Sequence, residues 1–176
     1  MAVREILILP DPLLRKVAEP VEAFDEDLQK TVDDMFETMY DAPGIGLAGP
    51  QIGYMKRVVV IDLADEENPD SGKIAMVNPE IVGLSEQTAV SEEGCLSIPE
   101  LYYEVERPAE VTVKYFTPQG EEIPRHATGR LATGRLAVCM QHEIDHLDGV
   151  LYIDYLSRLK RDRVNKKFQK KARLAS

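Results

Sequence analysis

Two histidines and a glutamate stand at a spacing that can hold a metal ion. The segment His142-Glu143-Ile144-Asp145-His146 matches the pattern H-E-x-x-H. On a helix, residues four apart lie on one face, about 6 Å from each other, so both imidazoles can bind the same ion. The glutamate can then reach a water at that ion and act as a general base. Ile144 and Leu147 give the helix an apolar side, and burying that side would bury the histidines. This favours metal ligands over a solvated helix face that matches the motif by chance.

The third ligand decides the class of enzyme, and the residues alone leave it open. A metzincin would have histidine where this chain has Tyr152, and no glutamate follows Glu143 to serve a gluzincin. Asp154 or Asp162 can complete an aspartate-type zincin. Cys95 is the other soft ligand, in a glycine-hinged loop between two strand-like runs, although a cysteine there can also be a small core residue.

The other histidine and the other cysteine are weaker candidates. His126 lies in a polar stretch, where we expect an exposed side chain. Cys139 lies three residues before His142 on the same helix, and we expect it to pack near the site without binding metal. The N-terminus shows neither a signal-peptide core nor the composition of a transit peptide, so we expect a cytoplasmic protein. In that reducing compartment the cysteines are free thiols or metal ligands rather than a disulfide.

Three helices are predicted around these residues. Residues 25–41 form a helix that Asp25 caps, and a helix over about 134–147 carries the metal-binding motif and stops near Gly149. A basic terminal helix covers about 157–174. The first helix has an apolar stripe that we expect in the core, made of Leu28, Val32, Met35, Phe36, Met39 and Tyr40.

Short strands are predicted between the first two helices, at 57–63, 73–78, 81–90 and 105–116. The last run alternates, with Val111, Val113 and Tyr115 on one face. Strands that neighbour each other in sequence and are bracketed by helices predict an α+β fold, with small, mostly antiparallel sheets packed around a central metal-binding helix. No linker divides the chain, so residues 1–176 are expected to form a single catalytic domain.

Charge is distributed unevenly along the chain. The net charge is −10, which argues against a general nucleic-acid role. Residues 158–173 nonetheless hold nine basic residues against one acid, Asp162, so this segment carries +8 and the rest about −18. The longest apolar runs, such as Val58-Val59-Val60-Ile61, are far shorter than the roughly 18 residues of a membrane span.

Three motifs, taken together, resemble one known family. They are Gly44-Ile45-Gly46-Leu47-Ala48-Gly49-Pro50-Gln51, Glu93-Gly94-Cys95-Leu96-Ser97 and Gln141-His142-Glu143-Ile144-Asp145-His146. Each motif alone is modest, but their order and spacing resemble the peptide deformylases from about Ile6 to Asp154. That resemblance implies a hydrolase that removes the formyl group from N-formylmethionine of newly made polypeptides and releases formate. It makes Cys95, His142 and His146 the metal ligands and Glu143 the general acid and base.

The resemblance also implies residues that act on the substrate. The oxyanion donors are the side-chain amide of Gln51 and the backbone N–H of Leu96, and Gly46 belongs to the glycine-rich loop that approaches the reacting atoms. Tyr102, which follows the cysteine loop, is a further candidate for the peptide groove. The pocket for the methionine side chain is expected to involve Ile45, Val138 and Cys139.

The same resemblance also implies which metal ion and which partners the protein has. A thiolate and two imidazoles suit Zn²⁺ or Fe²⁺, and the resemblance favours Fe²⁺, with Zn²⁺, Ni²⁺ or Co²⁺ able to substitute. The resemblance implies N-formylmethionyl nascent peptides in the bacterial cytoplasm as substrates, and no membrane or DNA partner is expected for what should be a monomer. The basic C-terminal helix either is a solvated face or docks on ribosomal RNA, where nascent substrates emerge.

Two features depart from the family pattern. Gly49 stands where the family often has alanine, and Ala127-Thr128-Gly129-Arg130-Leu131 is repeated as Ala132-Thr133-Gly134-Arg135-Leu136. Five residues rotate a helix by roughly 500°, so the two copies cannot present one face of a continuous helix. We expect the first copy to form a loop or an irregular lead-in.

Besides a deformylase, an aspartate-type zincin protease and a structural metal- or thiol-binding module remain alternatives.

Overall fold

Three helices and eight strands occupy residues 2–63, 72–123 and 130–175, the parts of the chain that the computed structural model describes. Within these described ranges, single-turn 3₁₀ segments cover Pro12–Arg15, Gly49–Ile52 and Tyr152–Tyr155. The helices are α1 (Glu26–Asp41), α2 (Gly134–Leu147) and α3 (Arg158–Ala175). The strands are β1 (Gly46–Ala48), β2 (Val58–Asp62), β3 (Lys73–Leu84), β4 (Thr88–Cys95), β5 (Ile98–Pro108), β6 (Glu110–Phe116), β7 (Glu122–Ile123) and β8 (Arg130–Thr133). The predicted α+β class is confirmed.

The strands form two antiparallel sheets. The main sheet has the order β1-β2-β3-β6-β7, and β8 pairs with the first half of β6. Strands β4 and β5 form a separate two-stranded sheet. Val111, Val113 and Tyr115 on β6 are buried together on one face, as their alternation predicts.

Both faces of the main sheet are covered, and strand β2 shows this most clearly. Val59 and Ile61 face helix α2, whereas Val58 and Val60 face helix α1. All four side chains are fully buried, and each contributes about 1.5–3 kcal/mol relative to an exposed position. A continuous apolar run is therefore what a strand between two helices requires.

Helix α1 matches its predicted extent and cap. The Asp25 carboxylate accepts a hydrogen bond from the Leu28 amide at 2.9 Å, which satisfies one of the free amides of the first turn. One member of the predicted stripe does not join the core, because Tyr40 is half exposed. Its ring stacks on Phe36 and its hydroxyl donates to Asp62, so the polar end of the ring stays at the rim.

The end of helix α2 is tightly fixed. Gly149 has φ +72°, and a Cβ there would lie 2.4 Å from the carbonyl oxygen of Arg15, so only glycine fits. The Leu147 carbonyl accepts hydrogen bonds from the Ala18 amide at 2.8 Å and from Arg57 at 3.0 Å. These contacts hold the C-terminus of the helix against the N-terminal segment of the chain.

The strand boundaries differ from the prediction. The predicted run 73–78 and the first part of the predicted run 81–90 form one strand, β3, which passes through irregular pairing with β6 beside Asn78, where φ is +50°. The last part of the run 81–90 is separated from β3 at 85–87 and belongs to β4, which begins at Thr88. The Asn78 side chain bonds both the amide and the carbonyl of Val21, which supports this bulge. The predicted strand 105–116 is divided at Ala109, because the chain leaves the small sheet there and enters the main one.

Helix α3 begins and ends within one residue of its prediction. Val164 and Phe168 are its buried residues, four apart on one face, and they pack into a core with Leu151 and Ile153. The other side chains of the helix are exposed or partly exposed. None of the helices in the described ranges is long and apolar enough to cross a membrane.

The repeated segment is only partly described. Residues 124–129, which include His126 and the start of the first copy, lie outside the described residues. The first copy ends within strand β8, and helix α2 begins inside the second copy, at Gly134. The two copies therefore do not share a helix, as predicted, but the last two residues of the first copy are strand rather than loop.

Candidate metal centre and active-site cavity

Three side chains from two distant segments converge at one point. Cys95 lies at the end of β4, and His142 and His146 lie one helical turn apart on α2. One ligand atom from each residue lies within 4.8 Å of the others, and this is the one such group of three found among the described residues. The sequence prediction and the geometry therefore agree on the same three side chains.

The sulfur of Cys95 is held beside the glycine-rich loop. The Gln51 Nε2 amide lies 3.6 Å from Cys95 Sγ and donates to Ser97 Oγ at 3.1 Å. The Gln51 carbonyl oxygen accepts from the Ala48 amide at 2.9 Å, which fixes which end of the side chain faces the sulfur. Gln51 is buried, and its side-chain N–H groups are held pointing toward Cys95 and Ser97.

His142 is oriented by a buried carboxylate. Its Nδ1 lies 2.9 Å from Glu93 Oε1, and because a carboxylate only accepts, Nδ1 is the donor and Nε2 faces the site. Arg107 binds the same carboxylate through two hydrogen bonds, of 2.6 and 2.9 Å. Burial raises the pKa of Glu93, but the hydrogen bonds from His142 and Arg107 outweigh burial and leave that pKa below its ordinary value.

The two histidines differ in their electrostatics. Burial lowers the pKa of His146 well below its usual value, so its imidazole is neutral, the form that binds a metal. Burial also opposes the charged form of His142, but hydrogen bonds to Cys95 and Glu93 raise its pKa well above the usual value. Cys95, Glu93 and the nearby charge of Glu143 therefore favour positive charge at His142.

The Glu143 side chain points toward the three ligands and makes few hydrogen bonds with the protein. Its Oε1 lies 3.6 Å from His142 Nε2, whereas Oε2 is buried without a hydrogen-bond partner among the described residues. Burial raises the pKa of this carboxyl group to about 7. A Cβ on Gly46 would lie 3.0 Å from Glu143 Cγ, so the glycine leaves room for this side chain.

A cavity of about 630 Å³ opens in front of these groups. Gly44, Leu96 and Glu143 line it, and a Cβ on Gly44 would approach Leu96 Cδ1 to 2.6 Å. The loop and the turn after β4 therefore meet at one edge of the cavity. All four residues predicted to bind substrate lie in its wall, namely Ile45, Tyr102, Val138 and Cys139.

The donor set fits a thiophilic divalent metal ion. One thiolate and two imidazoles are the soft and borderline ligands of Zn²⁺ and Fe²⁺. The two aspartates that would complete an aspartate-type zincin lie elsewhere, because Asp154 pairs with Arg15 at 2.7 Å and Asp162 lies on α3, 3.9 Å from Arg158. The chemistry of the site is therefore that of a Cys-His-His centre with a carboxylate beside it.

Cys139 lies close to the centre without joining it. The residue is buried in the core between α2 and the main sheet. Burial raises the pKa of its thiol to about 12, so it is a neutral thiol at pH 7 and a poor metal ligand.

Sequence reasoning missed the residues that hold the ligands in place. Glu93 lies in the same motif as the predicted ligand Cys95. It is almost completely buried, and its carboxylate is the hydrogen-bond partner of His142. Arg107 and Asp145 form an ion pair of 2.9 Å behind it. Gln141, next to His142, donates to the Pro108 carbonyl at 3.0 Å and ties α2 to the junction of the two sheets. The one sequence signal for Glu93 is its position two residues before Cys95, because its burial and its pairing with Arg107 appear only in the fold.

Comparison with known proteins gives one consistent answer. The family model described as polypeptide deformylase matches residues 3–162. A curated peptide deformylase from Brucella suis is 56% identical over 172 residues, covering 98% of this chain and 95% of that protein. One from Afipia carboxidovorans is 54% identical over 176 residues, covering 100% of this chain and 99% of its own.

Solved structures agree with these relatives. The crystal structure of a peptide deformylase from Legionella pneumophila has a TM-score of 0.86 at 48% identity, covering 99% of this chain and 98% of that one. A peptide deformylase from Ehrlichia chaffeensis, in complex with actinonin, has a TM-score of 0.87 at 40% identity, covering 97% of this chain and 98% of that one.

Proposed function

The chain belongs to the polypeptide deformylase family, and on that premise we propose that it hydrolyses the formyl amide of N-formylmethionyl peptides at a metal ion held by Cys95, His142 and His146. The observation that carries the proposal is the convergence of these three ligand atoms within 4.8 Å of one another, beside an unpartnered Glu143 Oε2. A structural module would not need a free buried carboxylate at the mouth of a cavity.

Hydrolysis of an amide needs an activated water, a proton carrier and a stabilised oxyanion. The chemistry that a divalent ion supplies at these ligands is Lewis acidity, which makes water acidic enough to attack near neutral pH. Glu143 takes the proton from the attacking water on its Oε2 atom and delivers it to the leaving amine. Its place beside His142 Nε2 supports this role.

The oxyanion is assigned to two donors, one from a side chain and one from the backbone. Gln51 Nε2 faces Cys95 Sγ and donates to the formyl oxygen as negative charge builds there. The backbone N–H of Leu96 is the second donor, in the turn that adjoins the glycine-rich loop. Because the Gln51 carbonyl is already bound to the Ala48 amide, no reorientation of the amide is required during the reaction.

The cavity sets the choice of substrate. The formyl group is small, so it fits next to the ligands, while the methionine side chain enters the pocket lined by Ile45, Val138 and Cys139. Tyr102 is 66% exposed on β5 and contacts the peptide beyond the first residue. Actinonin, bound in the Ehrlichia chaffeensis structure, serves as a competing probe for this cavity.

Fe²⁺ is the metal that we assign to the centre. A thiolate with two imidazoles is compatible with Fe²⁺ and Zn²⁺, and the family resemblance favours iron. We place the reaction in the bacterial cytoplasm, where formylated nascent chains are made.

The assay that tests the function is release of formate from formyl-Met-Ala-Ser, with the peptide products identified by mass spectrometry. The proposal predicts formate and intact Met-Ala-Ser as the products. Cleavage between the amino acids, with the formyl group retained, would instead indicate a zincin protease. No product of either kind from metal-loaded protein would indicate a binding module.

Docking on the ribosome is a second proposal, and it rests on helix α3. The buried side chains of the helix are Val164 and Phe168, whereas its basic side chains are exposed or partly exposed. They contact rRNA phosphates, and binding should weaken steeply with salt. The residues proposed for these contacts are Lys160, Arg161, Lys166, Lys167, Lys170 and Lys171.

Charge reversal tests the docking better than truncation does. Truncation after Leu156 would also remove Val164 and Phe168 from the core. Changing Lys166, Lys167 and Lys170 to glutamate keeps both, and should abolish ribosome co-sedimentation while sparing formate release from the short peptide. The matched control reverses Lys16 and Lys30, which are exposed elsewhere, and should leave co-sedimentation intact. Unchanged co-sedimentation of the helix variant would refute the docking.

A further inference from the structure

A continuous set of side chains leads from the metal centre to the segment that precedes helix α3. His142 Nδ1 donates to Glu93 Oε1, and Arg107 donates two hydrogen bonds to the same carboxylate. Arg107 Nη1 also donates to Asp145 Oδ2 at 2.9 Å. The Tyr155 hydroxyl donates to that same oxygen at 2.8 Å. Each link in this set is a hydrogen bond in which a carboxylate accepts.

Tyr155 makes a second contact with the same network. Its ring lies under the guanidinium of Arg107, 4.7 Å from Cζ to the ring centroid. The Tyr155 ring therefore packs on one face of the Arg107 guanidinium. The Tyr155 hydroxyl holds the Asp145 carboxylate, which binds the edge of the same guanidinium. Tyr155 itself is 50% exposed, whereas the side chains of Arg107 and Glu93 are 4% and 2% exposed.

We propose that Tyr155 is a positioning residue for the metal centre, which acts through Asp145 and Arg107 on Glu93 and thereby fixes the orientation of His142. The proposal rests on the proposed function, since it requires a metal ion at the three ligands. Tyr155 precedes the first residue of α3 by three positions. The metal centre is therefore linked to the base of the basic helix as well as to its own strand and helix.

The network determines how firmly the His142 imidazole is held in its orientation. Partners beyond the ligands fix the tautomer and the ring plane of a ligating histidine, and their loss costs roughly 10- to 100-fold in metal affinity or activity. Glu93 is the direct partner of His142. Two residues, Asp145 and Arg107, separate the Tyr155 hydroxyl from Glu93, so we expect this hydroxyl to matter less than Glu93 but more than any hydroxyl outside the network.

The test measures metal retention with Co²⁺ as the probe. The full chain is loaded with Co²⁺, excess EDTA is added, and release is followed by loss of the thiolate-to-cobalt absorption. Tyr155→Phe should release Co²⁺ roughly threefold to tenfold faster than the unchanged protein, a smaller effect than that of a direct partner. Tyr155→Ala, which also removes the ring, should release it faster still.

A matched control separates this effect from general loss of a surface hydrogen bond. Tyr40 is also 50% exposed, and its hydroxyl also donates to an aspartate, Asp62, outside the site. Tyr40→Phe should release Co²⁺ at the rate of the unchanged protein. Equal acceleration in both Phe variants, or no acceleration in Tyr155→Phe, would overturn the proposal.

A double-mutant cycle tests the route. In a Glu93→Gln background, Tyr155→Phe should accelerate Co²⁺ release no further, because the link through which it acts is already broken. Fully additive effects would show that Tyr155 acts elsewhere and would overturn the proposal. If the unchanged protein binds no Co²⁺ at all, the metal centre itself fails, and the two failures are thereby distinguished.

Discussion

The sulfur of Cys95 lies 3.4 Å from Nε2 of His146, although 51 residues separate the two along the chain. No local element brings them together. The small sheet carries Cys95 to the buried face of helix α2, and the glycine-rich loop closes over the same point. The account of function depends on this contact, because it turns a two-histidine motif into a three-ligand centre.

Replacing the sulfur should remove the metal. We expect Cys95→Ala to lose its bound metal, since two imidazoles alone hold a divalent ion far more weakly than three ligands do. Metal content by plasma emission spectroscopy is the measurement. Cys139→Ala is the matched control and should keep its metal, because burial holds the pKa of that thiol at about 12. A loaded Cys95→Ala protein would point to a carboxylate ligand instead.

Replacing Glu143 should separate chemistry from binding. Glu143→Gln keeps the shape of the side chain but cannot carry the proton. We expect unchanged metal content and a fall in kcat of about a hundred- to ten-thousandfold. Formate release and metal analysis of the same sample check this. Near-normal turnover would assign the proton transfer to another group.

Loss of the oxyanion donor should lower kcat and leave KM nearly unchanged. We expect Gln51→Leu to lower kcat about a hundred- to a thousandfold, because its amide acts on charge that develops only in the transition state. Gln119→Leu removes a glutamine amide that bonds Gln29 far from the site, and it should leave kcat unchanged. Since Gln51 also satisfies the Ala48 amide, thermal unfolding of both variants is measured alongside. A change confined to KM would contradict the assignment.

An ion pair away from the site, between the partly exposed Arg4 and the buried Asp34, gives a prediction on stability and pH. Burial raises the pKa of Asp34, but hydrogen bonds from Arg4 and the Ala2 amide outweigh it, so the pKa lies below its usual 3.8. The charged form thus stabilises the fold above pH 3.8, and that contribution is lost as pH falls through the lower folded-state pKa. We expect Asp34→Asn to cost roughly 1–3 kcal/mol at pH 7.

Urea unfolding at several pH values checks this sign. The difference between Asp34→Asn and the unchanged protein should be constant from pH 7 to 5 and should shrink toward pH 3. Asp33→Asn, one residue away and not in an ion pair with Arg4, is the control and should cost little at any pH. A difference that grows on acidification would contradict the lowered pKa.

The sequence predicted most of this architecture because the relevant signals are local. The helical spacing of His142 and His146, the cap at Asp25 and the alternation of Val111, Val113 and Tyr115 each depend on neighbouring residues. These predictions hold because the apolar and polar positions of a single element already contain the information.

The parts that escaped prediction depend on tertiary pairing. Arg107 meets Glu93 only because β4 and β5 pair in a particular register, and it meets Asp145 only once α2 packs behind them. The bulge at Asn78 joins two runs that look separate, since its support comes from Val21 far back in the chain. Neither arrangement has a signal within a sequence window.

The most direct test combines metal content and turnover in one titration. Chelator-stripped protein is reconstituted with Fe²⁺ under argon, and bound iron and the rate of formate release from formyl-Met-Ala-Ser are measured at each step. We expect no turnover without metal and a rate that rises in proportion to bound iron up to one ion per chain, in the unchanged protein but not in Cys95→Ala. Formate release that persists in the metal-free protein would contradict it.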